Sequence, residues 1–300
     1  MAQPQRARER SDRVRAAARH RSDAREPKFG ASFEALGRLA YEGAQVSANA
    51  VDLYSGETLL SIDDRIVLPT AGVGTVLLLI EVSARLSARH DSGFGIVEKP
   101  PVDLVAGAGL WQHMQAPALP VVDLAMLVGA TGDNMATNQL LSRVGLDAVR
   151  ARGDSLGLGR TALLDLARHQ RGPDDAPQLS VGSTAELSRL FGMIAREEAV
   201  DAATSQRVLG WLSLGGDLSM VASAFGLDPL SHRAPDHGTL LVNKTGADAG
   251  VRADAGVVRG RRSAVSYAVS IRFDDDTLAR RLAVLDAMRS VGRELLEYVH

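Results

Sequence analysis

LPTAGVGTVLLLIEV, residues 68–82, decides how the rest of the chain is read. It opens on a Pro-Thr pair, passes through Gly72-Val73-Gly74-Thr75 and continues into Val76-Leu77-Leu78-Leu79-Ile80, with Glu81 as its one charge. A helical segment that is apolar on every side belongs in a core rather than on a surface. Its first turn leaves backbone N–H groups without intrahelical partners, and such a terminus is a ready site for an anion. The pattern predicts a buried helix over residues 76–87 whose N-terminus opens into a cleft.

Working outward, residues 31–41 place Phe33, Leu36, Leu39 and Ala40 at helical spacing, and residues 46–53 alternate like a strand. Tyr54-Ser55-Gly56-Glu57 then reads as the turn of a hairpin completed by residues 58–62. Beyond the buried segment the periodicity is helical at 121–128, 134–144, 146–152, 184–198 and 205–212. Ser183-Thr184-Ala185-Glu186 resembles a capping box. Between these helices lie two loops, 93–109 and 156–182; the second is long enough to be functional. Strand signals return at 239–243, 255–259 and 264–273, and residues 278–299 form a closing helix with Leu282, Leu285, Met288 and Leu295 on one face. Strands near both ends and helices between them predict an α/β fold, an antiparallel sheet assembled from the two termini and flanked by helices. The expected parts are a disordered basic arm (1–28), an α/β domain (29–72 plus 230–300) and an inserted all-α domain (73–229).

Composition removes several functions. No cysteine is present, which excludes disulfides, thiolate nucleophiles and thiolate metal sites. The seven histidines show no metal-ligand spacing, so neither metal nor cofactor is expected. A net charge of −2 argues against nucleic acid as a partner. No apolar run is long enough to cross a membrane. Residues 1–28 are rich in Arg and Ala and lack the apolar stretch of an export signal, so a cytoplasmic protein is expected.

Two later tripeptides complete a pattern with the opening stretch: Gly132-Asp133-Asn134 and Lys244-Thr245-Gly246. In order and approximate spacing the three resemble the active-site motifs of class A beta-lactamases and penicillin-binding serine hydrolases. The likeness covers most of residues 31–299, including the helical sequence that follows Asn134. It implies the corresponding fold, with a site in the cleft between an α/β and an all-α domain. The rival reading of Gly72-x-Gly74 as a dinucleotide fingerprint has Leu77 where the third glycine belongs and no βαβ order around it.

Where the family's first motif has a nucleophilic Ser and a Lys three residues on, this chain has Gly72 and Thr75. Where the second has a proton-shuttling Ser, it has Gly132, with Asn134 retained; Lys244, Thr245 and Gly246 match the third. The deacylating Glu of class A enzymes falls on Ala162, with Asp165 a poor substitute. By resemblance, the backbone N–H groups of Gly72 and Ala247 would form an oxyanion hole, and Lys244 and Arg252 would make the cleft electropositive. The expected ligand-binding residues are Gly72, Thr75, Gly132, Asn134, Lys244, Thr245, Gly246, Ala247 and Arg252, with no catalytic residue assigned. Three functions stay open: a silent relative binding a small carboxylate, peptide-like ligand or protein partner; an enzyme reusing the oxyanion hole and Lys244 for non-covalent chemistry; and a residual beta-lactam or ester hydrolase.

Overall fold

A computed structural model describes residues 28–90, 92–101, 109–229 and 231–300. In chain order it contains α1 (Gly30–Tyr41), β1 (Gln45–Asp52), β2 (Thr58–Ile62), β3 (Leu68–Pro69) and α2 (Thr75–Ser87), the last entered through a 3₁₀ turn at Ala71–Gly74. There follow β4 (Ile96–Glu98), β5 (Ala118–Pro120), α3 (Val121–Thr131), α4 (Asn134–Val144) and α5 (Leu146–Ser155). Next come β6 (Ala162–Leu163), β7 (Ser180–Gly182), α6 (Thr184–Ala195) and α7 (Ala202–Leu212). The C-terminal part is β8 (Leu240–Asp248), β9 (Val251–Arg259), β10 (Ala264–Arg272) and α8 (Leu278–Val299).

The main sheet has the order β2-β1-β10-β9-β8 with antiparallel neighbours, so strands from both ends of the chain meet at the β1–β10 pair. Its two faces bury different partners. One face carries Val265, Tyr267, Val269 and Ile271 against α1 and α8; the other sets Ala253, Ala255 and Ala268 against the helical half built around α2. Because both faces are covered, β10 is buried along nearly its whole length, and its sequence reads as a run rather than an alternation. α2 is the centre of the second core: Thr75 to Ala84 are all buried, as the opening stretch requires.

The hairpin turn at 54–57 is locked by Asp52, whose carboxylate accepts from the N–H groups of Tyr54 (2.9 Å) and Ser55 (2.7 Å) and from the Ser263 hydroxyl. Burial works to raise the Asp52 pKa, but these donors outweigh it and hold it down at about 2.

Several local expectations change. Phe33 is 45% exposed and Leu282 50% exposed, so neither belongs to the apolar face assigned to it. In α8 the buried stripe is Val284, Ala287, Met288, Val291, Leu295 and Val299, set by where α1 and the sheet lie. β8 runs five residues past Asn243, because ladder pairing with β9 carries the chain through Lys244-Thr245-Gly246. The capping box at α6 is half formed: Ser183 accepts from the Glu186 N–H, while the Glu186 carboxylate takes the N–H groups of Gly159 and Arg160. The long loop contains the short strands β6 and β7. Of the expected basic arm, residues 1–27 lie outside the described residues, and Lys28 pairs with Glu57 at 3.2 Å. Among the described residues, no helix is long and apolar enough to cross a membrane.

Candidate functional site

The turn before α2 is held from both sides. β3 pairs with β7, and Thr70 and Ser180 share a hydroxyl hydrogen bond of 2.7 Å, with the Ser180 hydroxyl also on the Ala71 carbonyl. A Cβ on Gly74 would lie 2.2 Å from the Ser180 Cβ, so the turn can pass there only as glycine. Immediately before Gly72, Ala71 has φ +45°, a left-handed conformation that costs a non-glycine residue about 1–2 kcal/mol. The Thr75 hydroxyl turns back onto the Gly72 carbonyl at 2.7 Å, and its side chain is buried.

Across the cleft, β8 lies against this turn. A Cβ on Gly246 would fall 2.3 Å from the Thr70 carbonyl oxygen and 2.8 Å from the Gly72 nitrogen. As the edge strand, β8 has alternate N–H groups that no ladder partner can take. From the helical half, α3 ends at Gly132 (φ +66°) and Asp133 caps α4 through the Ala136 N–H at 2.9 Å. The same Asp133 carboxylate accepts from the N–H groups of Leu110 and Trp111, which ties the segment before β5 to the start of α4.

Lys244 is where these elements converge. A Cβ on Gly132 would stand 3.3 Å from its Nζ and one on Gly72 3.9 Å away, so the ammonium sits between the two glycines. The side chain is 5% exposed, yet among the described residues no acceptor takes a hydrogen bond from Nζ. Burial lowers its pKa to about 8 against the opposing pull of Asp217 and Asp254. Asp254 lies beneath, fully buried, accepting from Asn243 (3.0 Å), Tyr267 (3.2 Å) and the Val221 N–H (3.1 Å). Burial raises its pKa to about 7, the three donors pulling against the rise and Asp217 adding to it.

Lys244 and the two glycines beside it line a cleft of about 470 Å³, a size suited to a small ligand. Of the residues expected from sequence, Gly72, Gly132, Asn134, Lys244, Thr245, Gly246 and Ala247 line it. Thr75 and Arg252 do not. Thr75 points back into its own turn. Arg252 alternates to the opposite face of the sheet from Lys244, where it donates to the carbonyls of Asp248 and Val251 and stands 3.5 Å from Asp275.

The sequence reading missed Asp217, Asp248, His169, Arg168 and Arg171, all of which line the cleft. The two arginines are bound to Asp165 at 2.9 and 2.8 Å, which accounts for that buried carboxylate. The cleft is therefore mixed in charge, and the expected electropositive pocket is corrected accordingly. Asp217 sits in the Gly215-Gly216-Asp217 turn after α7, where a glycine pair was the only available signal. In the long loop, the segment 167–171 reaches the cleft and Ala162 does not: Asn138 holds the Ala167 backbone at both its N–H and carbonyl (2.8 and 2.9 Å), while Ala162 lies on β6 and faces another cavity. Among the described residues, no group of three or more His, Asp or Glu is placed to hold a metal ion.

The comparisons with known proteins agree with this geometry. Residues 30–299 match the Beta-lactamase2 profile, described as a beta-lactamase enzyme family. A search of curated proteins gives no significant match. Among solved structures, a beta-lactamase from Sphaerobacter thermophilus superposes with a TM-score of 0.78 at 21% identity, over 90% of this chain and 97% of that one. PBP-A gives 0.73 at 17% identity, over 89% and 95%. The chromosome-encoded beta-lactamase of Vibrio parahaemolyticus gives 0.74 at 13%, over 89% and 98%.

Proposed function

Because this chain belongs to the beta-lactamase enzyme family, we propose that it is a non-hydrolytic member whose cleft binds a small carboxylate or peptide-like ligand without forming an acyl-enzyme. The observation that carries this reading is Lys244, whose side chain is buried along its length while its ammonium opens onto the cleft and donates to no protein acceptor among the described residues. A buried ammonium is costly unless an anion or other acceptors meet it, and a ligand carboxylate between Lys244 and the start of α2 supplies one.

The chemistry of an acyl-enzyme has no support from the same residues. Gly72, Thr75 and Gly132 stand where the family motifs have a nucleophile, its lysine and a proton-shuttling serine. Loss of a serine nucleophile alone lowers such a rate by about 10⁶. Three of the nearby hydroxyls are committed: Thr75 to the Gly72 carbonyl, Thr70 to Ser180, Thr131 to the Leu127 carbonyl at 2.9 Å. The left-handed Ala71 is supported by the close fit of β8 and β7 around it, and retention of that strain without a nucleophile accords with use of the Gly72 N–H as an anion donor.

A thermal-shift series tests the reading. Small carboxylates and D-amino-acid peptides should stabilise wild type in a concentration-dependent way, by about 2.7 kcal/mol at a hundred times the dissociation constant. Lys244→Met should lose that protection. Undiminished protection in the variant removes Lys244 from the site and the reading with it. A second reading, a non-covalent enzyme, draws on the Lys244 pKa of about 8, within reach of neutral acid–base chemistry. It requires a bound ligand to be converted, which analysis of recovered ligand decides.

A further inference from the structure

The cleft holds two opposite charges that do not pair with each other. Lys244 is buried at one wall; Asp217 lies exposed at the loop after α7, and no ion pair joins them among the described residues. The Asp217 carboxylate is fixed rather than free to swing. Its Oδ1 accepts both the N–H (3.0 Å) and the hydroxyl (2.6 Å) of Ser219, and Oδ2 has no protein partner among the described residues. The two charges are nevertheless near enough to act on one another, since Asp217 is the leading charge that favours the Lys244 ammonium.

The other charged groups of the cleft do not compete for this role. Arg168 is engaged with Asp165 and Asp175, and Arg171 with Asp165. Asp248 stands four residues along β8 from Lys244, about 13 Å at the rise of a strand. A carboxylate ligand on Lys244 would meet Asp217 as a neighbouring like charge, so a ligand that carries only an anion is penalised. One that brings its own cation is not.

Building on the ligand-binding reading, we propose that the cleft selects a small zwitterion, an unacylated peptide or amino acid, whose carboxylate meets Lys244 and whose ammonium meets Asp217. Asp217 is the residue that sets this selectivity. A charge-assisted hydrogen bond to a fixed carboxylate is about twice as strong as a neutral one, and the expected preference for the free amine over its acylated form is about tenfold.

Titration calorimetry on the full chain tests it with three probes in both enantiomeric forms: alanyl-alanine, N-acetyl-alanyl-alanine and alanyl-alaninamide. Wild type should bind alanyl-alanine about tenfold more tightly than the N-acetyl form and should bind the amide weakly. Asp217→Asn keeps the Oδ1 acceptor for Ser219, so the turn survives. In that variant the preference should fall to near one, through weaker binding of the free dipeptide with the N-acetyl form unchanged or improved. Lys244→Met should lose both carboxylate probes. Equal or tighter binding of the N-acetyl form by wild type overturns the zwitterion proposal and leaves carboxylate binding standing. A tenfold preference that survives Asp217→Asn overturns the assignment to Asp217. No binding of any probe to wild type overturns the proposal and, together with unprotected thermal shifts, the reading it rests on.

Discussion

Glu81 and Lys244 are both nearly buried charges, and the fold treats them oppositely. Glu81, 7% exposed on α2, is met by Arg85 at 2.9 Å and Arg152 at 2.8 Å, one from its own helix and one from α5. Lys244, 5% exposed on β8, has no comparable partner among the described residues; Asp217 and Asp254 act on it only through space. The difference separates a charge that holds the structure together from one left open for something else. Arg85 and Arg152 complete the first inside the molecule, whereas the second faces a cleft between two glycines.

The sharpest way to test the contrast is to remove the structural charge. Glu81→Ala leaves two half-buried guanidiniums facing each other across a core helix, and breaking such a pair should destabilise the chain by about 3 kcal/mol. Urea denaturation at neutral pH measures it; a change below about 1 kcal/mol would mean that Glu81 is no more structural than a surface pair.

Removing Lys244 should have the opposite sign. Lys244→Met discards an ammonium whose burial the fold does not compensate, and stability at pH 7 should rise by about 2 kcal/mol. The pH dependence follows from a native pKa of about 8 lying below the ordinary value of 10.5. Below about pH 8 both native and unfolded chains hold the proton and the cost is fully present. Between 8 and 10.5 the native chain releases it first, so wild type gains stability relative to the variant. The gap between the two should close over that window when followed by denaturation at stepped pH, and a gap that widens there contradicts the assignment. Asp217 and Asp254 favour the ammonium from nearby, so the gain is about 2 kcal/mol rather than the full cost of burial.

The smallest effect concerns the glycine on the other side of the ammonium. Gly132→Ser places a side chain at φ +66°, 3.3 Å from Nζ, and should cost about 1 kcal/mol. If the serine is instead neutral, its hydroxyl has reached Lys244 and the ammonium was open to any acceptor, which sharpens the comparison from the other direction.

Much of the architecture was legible in the chain because it depends on local periodicity. The unbroken apolar run after Gly72 could only be a core helix, and the hairpin at 54–57 carried its own turn residues. Phe33 and Leu282 were misassigned because helical spacing shows that a face exists, whereas the α1–α8 contact decides which residues it includes. Seven of nine expected cleft residues line the cleft, all from motifs with fixed order. Arg252 failed because alternation along β9 turns it to the other face, and Asp217 was invisible because a Gly-Gly-Asp turn looks like any loop. That Lys244 is buried and unpartnered could not be read at all: it depends on contacts between residues more than a hundred positions apart.

The central claim is that this cleft holds a ligand without acylation. Ampicillin suits the test because it carries an ammonium, a carboxylate and a reactive acyl group together. After prolonged incubation with excess ampicillin, intact-mass spectrometry under denaturing conditions should return the unmodified mass of the chain. A stoichiometric increase by the mass of the drug, mapped to Thr70, Thr75, Thr131 or Thr245, would contradict the account.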